Sequence, residues 1–169
     1  MSTLDLRSIR IRSGEQWSDT REVDLQPFEL GGQRYVAAPE HPEADVTISR
    51  TTSGFLFELA LEARLFGPCF RCLAETGVTS RIRGREYQAS SQAESDELET
   101  PYVVDDRLDL SAWARDAVAL ALPDKILCRA DCAGLCPVCG RDLNLEPHEH
   151  ETVVEDPRWD ALAELKGRL

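Results

Sequence analysis

Six cysteines dominate the chemistry that this chain can do, and they fall as Cys69-x2-Cys72 and Cys128-x3-Cys132-x3-Cys136-x2-Cys139. A two-residue gap lets one tight turn present both sulfurs to a single ion, the requirement of a tetrahedral thiolate zinc site. Pro68-Cys69-Phe70-Arg71-Cys72 and Cys136-Pro137-Val138-Cys139-Gly140 are both such turns. In the second, proline sets the turn after the first ligand and glycine after the last permits a backbone that other residues resist. The expectation is one structural zinc ion, closed by four sulfurs, and no enzymatic activity.

Six thiols exceed what one zinc binds, so three schemes stand open. The two x2 pairs hold the metal, with Cys128 and Cys132 spare; or Cys69, Cys72, Cys128 and Cys132 hold it, with the last pair spare; or thiols exchange partners under oxidation. Turn chemistry favours the first. Residues 73–135 separate the two pairs, too long a gap for a free-standing finger, so the ion would clasp a hairpin turn to a distant loop and offset the entropy of closing the chain between them. The alternative function is a CxxC thiol-redox enzyme or redox switch. Its pattern, a cysteine pair opening a helix after a strand in a βαβ unit, is absent around both pairs.

Other chemistry is sparse. His148 and His150 could add ligands, but their acidic neighbours favour a solvated tail, and no HExxH, G-x-S-x-G or GxxxxGK[ST] pattern occurs. Arg81, Arg83 and Arg85 would share one side of a strand, as would Arg10 and Arg12. Such a stripe could accept RNA phosphates, meet an acidic protein partner or pair with the abundant carboxylates, and the net charge of −12 favours a plain solvated face.

The elements that must position the cysteines can be read from periodicity. The fold class expected is α+β: an antiparallel β-sheet body with a packed helix, a Cys-rich zinc-binding loop segment and a short C-terminal helix. A chain of 169 residues with 42% hydrophobic content fits a single domain. Its parts are a β-rich region over 4–89, an acidic loop over 90–108, a helix over 109–122, a Cys-rich loop over 123–145 and a helix over 156–169. Within the first, a strand over 4–12 breaks near Ser8, residues 17–42 are undecided between strand and loop, and two long strands flank the Cys69 turn. Leu110, Trp113, Ala114, Ala117, Val118 and Ala121 give the helix one apolar face, and Pro123 ends it.

The first residues alternate charge with single apolar side chains and build no secretory signal, and no run is apolar enough to span a membrane. Cytoplasmic residence is expected, and in a reducing compartment cysteines serve as metal ligands more often than as disulfides.

At GPCFRCL, DLSAWARDAVALALP, CRADCAGLCPVCGRDLN and DPRWDALAELK the sequence resembles the YceD family, bacterial and plastid proteins linked to accumulation of large-subunit ribosomal RNA. The likeness extends over most of the chain, with the features in order. It implies a bacterial ribosome-biogenesis factor supporting accumulation of the large-subunit (23S) RNA. Its partners would be ribosomal RNA, a large-subunit ribosomal protein or an assembly factor, with neither a membrane nor a small-molecule substrate. Some family members keep the first pair and positions like Cys128 and Cys132 without the CPVCG pair, which favours the second ligand scheme. All six cysteines therefore count as metal candidates, with Cys69 and Cys72 common to both ligand sets that resemblance and turn chemistry favour.

Overall fold

The computed structural model describes residues 2–90 and 99–150. The expected helix over 156–169 and most of the acidic stretch, residues 91–98, lie outside the described residues. Length alone suggested one domain, whereas the chain parts into two compact units, one ending at Cys132 and one beginning at Ala133. The reason lies in the hydrogen bonds of the second unit, which close at short range: Leu143 donates to the Gly134 carbonyl at 2.9 Å, and Ala133 to the Asn144 side chain at 2.8 Å.

The strands of the first unit are β1 (Thr3–Asp5), β2 (Gln16–Glu22), β3 (Phe28–Leu30), β4 (Gln33–Ala37), β5 (Glu43–Arg50), β6 (Gly54–Pro68), β7 (Glu75–Ala89), β8 (Val103–Val104) and β9 (Arg107–Asp109). They form two antiparallel sheets, a three-stranded one ordered β1-β9-β8 and a six-stranded one built from β2 to β7. Strand β6 is the spine of the larger sheet. It pairs with β5 and β4 along one edge and with β7 along its whole length on the other, from Gly54 opposite Ala89 to Pro68 opposite Glu75. Period-two alternation decides which face is buried: Phe57, Leu59, Leu61, Ala63 and Leu65 point into the core beside Val46 and Ile48 of β5. Each of the larger side chains among these, fully buried, contributes about 1.5–3 kcal/mol of apolar transfer, and Ala63 less.

Helix α1 (Leu110–Ala121) covers part of this sheet. Asp109 caps it by accepting the Ala112 N–H at 3.0 Å, and the apolar stripe buries Leu110, Trp113, Ala114 and Val118. Gly84 of β7 makes the close approach possible, since a Cβ there would meet the Trp113 indole at 3.0 Å.

Three expectations need correction. Strand β1 ends at Asp5 and passes into a 3-10 turn at Leu6–Ser8, where Asp5 caps the turn through the Arg7 N–H, so the strand does not continue to residue 12. The undecided stretch 17–42 contains β2, β3 and β4, the last two joined at Gly31-Gly32 with φ of 57° and 78°, the conformation of a tight hairpin turn. The acidic loop over 90–108 holds a small hairpin of β8 and β9, turned at Asp105-Asp106 with φ of 51° and 59°. Asp tolerates the left-handed region better than most side chains, so this pair acts where Asn-Gly is more usual.

Candidate metal centre

The β6–β7 hairpin positions the first cysteine pair. Its loop carries Cys69 to Ala74, and the backbone folds back on itself: the Cys69 N–H donates to the Ala74 carbonyl at 2.7 Å, and the Leu73 N–H donates to the Cys69 carbonyl at 3.0 Å. The turn forces Leu73 to φ 62°, a left-handed conformation that costs an ordinary residue about 1–2 kcal/mol. Both sulfurs then lie on one side of the turn.

The segment after α1 supplies the other half. Pro123 stops the helix, Ile126 buries its side chain, and the Ile126 carbonyl accepts the Phe70 N–H at 2.8 Å. That bond brings Cys128 and Cys132 over the hairpin loop. Two further bonds fix them: the Cys128 N–H donates to Cys69 Sγ at 3.3 Å, and the Arg71 guanidinium donates to the Cys132 carbonyl at 2.6 Å. Tyr35 braces the hairpin end by donating its hydroxyl to the Pro68 carbonyl at 2.8 Å.

The four sulfurs of Cys69, Cys72, Cys128 and Cys132 lie within 4.8 Å of one another. Cys69 and Cys132 Sγ are 3.9 Å apart, and Cys72 and Cys128 Sγ 3.6 Å. A tetrahedron with metal–sulfur bonds of about 2.3 Å has edges of about 3.8 Å, so the donor set fits zinc in size as well as in chemistry. Disulfides need sulfurs about 2.05 Å apart, well short of the 3.6 and 3.9 Å separations here.

Electrostatics within the group are uneven. Burial pushes the Cys69 thiol up, but the N–H groups of Cys72, Cys128 and Arg71 outweigh it and lower the thiol to about 6. Burial, reinforced by the neighbouring sulfurs, pushes Cys128 up to about 12. Cys72 is drawn down by the Ala74 N–H, yet burial and the surrounding thiols leave it raised. Backbone N–H groups thus favour the thiolate at Cys69, and a cation shared by the sulfurs would favour it further.

The first ligand scheme joined the two x2 pairs, and the structure does not assemble it. Cys69 and Cys72 meet Cys128 and Cys132, as in the second scheme. Spacing decides which cysteines share a turn, but which turns meet is set by the docking of the segment after α1. Cys136 and Cys139 are not idle. They gather with His148 and His150, whose ligand atoms all lie within 4.8 Å of one another and of the two sulfurs. His148 is half-buried and His150 exposed, so the histidines stay open to solvent as expected while also lying beside the second cysteine pair. Acidic neighbours masked them, while a His-x-His pair soon after a Cys-x2-Cys turn was the signal that could have found them.

The arginine stripe is a solvent-exposed face, as the charge balance suggested. Arg81 pairs with Glu62 at 3.2 Å and Arg85 with Glu58 at 2.6 Å, while Arg83 shares a shallow groove with Asp45, Thr47 and Glu58. Among the described residues no helix is long and apolar enough to cross a membrane.

Comparison with known proteins places this arrangement. An uncharacterized protein of Mycobacterium tuberculosis is 37% identical over 130 residues, which are 74% of this chain and 62% of the relative, and one from Mycobacterium bovis matches equally. An uncharacterized protein of Mycobacterium leprae is 30% identical over 128 residues, 72% of this chain and 57% of the relative. The chain thus spans less than two thirds of the length of these relatives. No solved structure matches. The family described as large ribosomal RNA subunit accumulation protein YceD matches residues 57–166, from near the start of β6 through both cysteine groups. With most of its length inside that match, this chain belongs to the YceD family.

Proposed function

We propose that the protein is a non-enzymatic ribosome-biogenesis factor of the cytoplasm that supports accumulation of large-subunit (23S) ribosomal RNA. In this reading a zinc ion held by Cys69, Cys72, Cys128 and Cys132 is structural. The observation that carries it is the closed set of four sulfurs within the region matched by a family named for this RNA. A catalytic zinc keeps one position for water or substrate, and four thiolates leave none. When bound, the ion supplies no reaction; it clasps the hairpin loop to residues 126–132. The chain's own residues do the rest: Arg71 and the Phe70 N–H hold the two segments in register, and Cys69 offers the first thiolate.

The net charge of −12 and the ion pairs of Arg81 and Arg85 disfavour broad contact with bare RNA. A basic large-subunit protein suits this surface better as the direct contact, with the RNA effect following from assembly. Depletion should lower mature large-subunit RNA relative to small-subunit RNA, and the protein should co-sediment with large-subunit precursors. A Cys128→Ser/Cys132→Ser variant should fail to restore the RNA. An unchanged RNA ratio after depletion rules the reading out. Rapid alkylation of Cys69 in the zinc-loaded protein, with reversible formation of a Cys69–Cys72 disulfide, would favour the thiol-redox alternative.

A further inference from the structure

We propose that Cys136, Cys139, His148 and His150 form a second metal centre, a zinc site of two sulfurs and two imidazole nitrogens distinct from the four-sulfur centre. The proposal stands apart from the ribosomal reading and does not depend on it. Four observations converge on it. All four ligand atoms lie within 4.8 Å of one another, although they come from two separate places in the sequence.

The backbone at Cys136 repeats the hydrogen bonds of the first knuckle. The Cys136 N–H donates to the Arg141 carbonyl at 2.8 Å, the Gly140 N–H donates to the Cys136 carbonyl at 2.8 Å, and Gly140 stands at φ 72° where Leu73 stands at 62°. The same turn that presents Cys69 and Cys72 to a common point thus presents Cys136 and Cys139.

The histidines are oriented as ligands. His148 Nδ1 lies 2.7 Å from the Glu146 carbonyl, which can only accept, so Nδ1 carries a proton and Nε2 is the nitrogen turned toward the sulfurs. Nε2 faces Cys139 Sγ at 3.1 Å. A backbone carbonyl on the far nitrogen is the usual way a protein fixes the tautomer and aim of a metal-bound imidazole. The His150 ring stands 4.9 Å away at 88° to that of His148, an angle that lets two rings direct one nitrogen each to a shared point.

Finally, the described residues of the unit bury little else that could hold them. Among its described residues Cys136 is the one buried side chain, at 5% exposure, while Val138 and Leu145 lie open to solvent. A segment this small without an apolar core needs a covalent or metal staple to keep a single conformation. Two sulfurs and two imidazoles in tetrahedral reach suit zinc, the thiols entering as thiolates with their protons passing to solvent.

The test is native mass spectrometry of the full chain loaded with zinc, joined to X-ray absorption at the zinc edge. Two bound zinc ions are expected, with six sulfurs and two nitrogens shared between them, an average of three sulfurs and one nitrogen per ion. His148→Ala/His150→Ala should keep one zinc in an all-sulfur shell. Cys128→Ser/Cys132→Ser should keep one in a shell of two sulfurs and two nitrogens. His148→Cys/His150→Cys, which preserves ligand number, should keep two zincs with no nitrogen, guarding against simple misfolding of the alanine variant. One zinc in the native protein, a shell without nitrogen, or two zincs held equally tightly by the alanine variant would each overturn the proposal.

Discussion

The two Cys-x2-Cys turns share a backbone and differ in nearly everything around it. In both, the first cysteine donates its N–H five residues ahead and accepts from four residues ahead, and the latter residue is left-handed. The first turn caps a hairpin of two 15-residue strands, of which β6 turns an alternating apolar face into the core and β7 adds Ile82. The second sits in a short segment where Cys136 is the one buried side chain among the described residues. A ligand-presenting turn is therefore a local property of its sequence. How much the surrounding structure depends on a metal is decided by how much apolar surface is buried without one.

That contrast predicts its largest effect under chelation. The N–H groups of Gly140, Leu143, Leu145 and Glu146, all hydrogen-bonded within the second unit, should lose hydrogen-exchange protection altogether once metal is removed. Those of β5 and β6 should keep theirs, because sheet pairing and core survive. Equal loss in both regions would show that the core does not stand alone. The converse perturbation is Phe57→Ala, a fully buried side chain, which should cost the first unit about 3–5 kcal/mol in denaturant melts. The exchange protection of the second unit should be unchanged. A coupled loss there would mean that the two regions do not fold as separate units.

Legibility in the sequence follows the same division between local and non-local. The long hairpin was readable because Phe57, Leu59, Leu61, Ala63 and Leu65 alternate with Glu58, Ala60, Glu62 and Arg64, a period that only a half-buried strand satisfies. Helix α1 was readable because Leu110, Trp113, Ala114 and Val118 recur at helical spacing and Asp109 precedes them. The hairpin at Asp105-Asp106 was not, since acidic residues read as a solvated loop until their left-handed backbone is seen. Strands β3 and β4, three and five residues long, offer too few positions to show a period. At the metal centre the turns were legible and their meeting was not: Phe70 reaching the Ile126 carbonyl and Arg71 reaching the Cys132 carbonyl are long-range bonds with no signature along the chain. His148 was obscured by the same charge argument, because its defining contact, Nδ1 on a backbone carbonyl, exists only once the turn is folded.

Arg71 offers a finer division between the knuckles. Its guanidinium donates to the Cys132 carbonyl at 2.6 Å, while the equivalent position of the second turn is Val138, which is exposed. A hydrogen bond from a charged donor contributes about 1.5 kcal/mol, roughly tenfold in an equilibrium. Arg71→Met should accordingly weaken zinc retention at the four-sulfur centre about tenfold in competition with a chromophoric chelator. Val138→Met, the matching change, should leave retention at the second turn where it was. If Arg71→Met is silent, the clasp rests on the sulfurs and the Phe70 bond alone.

The smallest effect is the most direct comparison of the turns, because it exchanges the residue that each holds in the left-handed region. Leu73 occupies that region at φ 62° with half its surface exposed, so its side chain gives back little burial for the strain it bears. Gly140 occupies it at φ 72° without strain, and a Cβ added there would meet nothing within 4 Å. Steric conflict with neighbours is therefore excluded at Gly140, and only the backbone preference of an L residue remains. Leu73→Gly should tighten zinc at the four-sulfur centre by about 1 kcal/mol, near fivefold, the relief of strain exceeding the added freedom of the unfolded chain. Gly140→Ala should loosen the second turn's hold on zinc by a similar factor. Opposite signs in chelator competition are the expected result, and matching signs would mean that the shared hydrogen bonds do not make the two turns energetic equivalents.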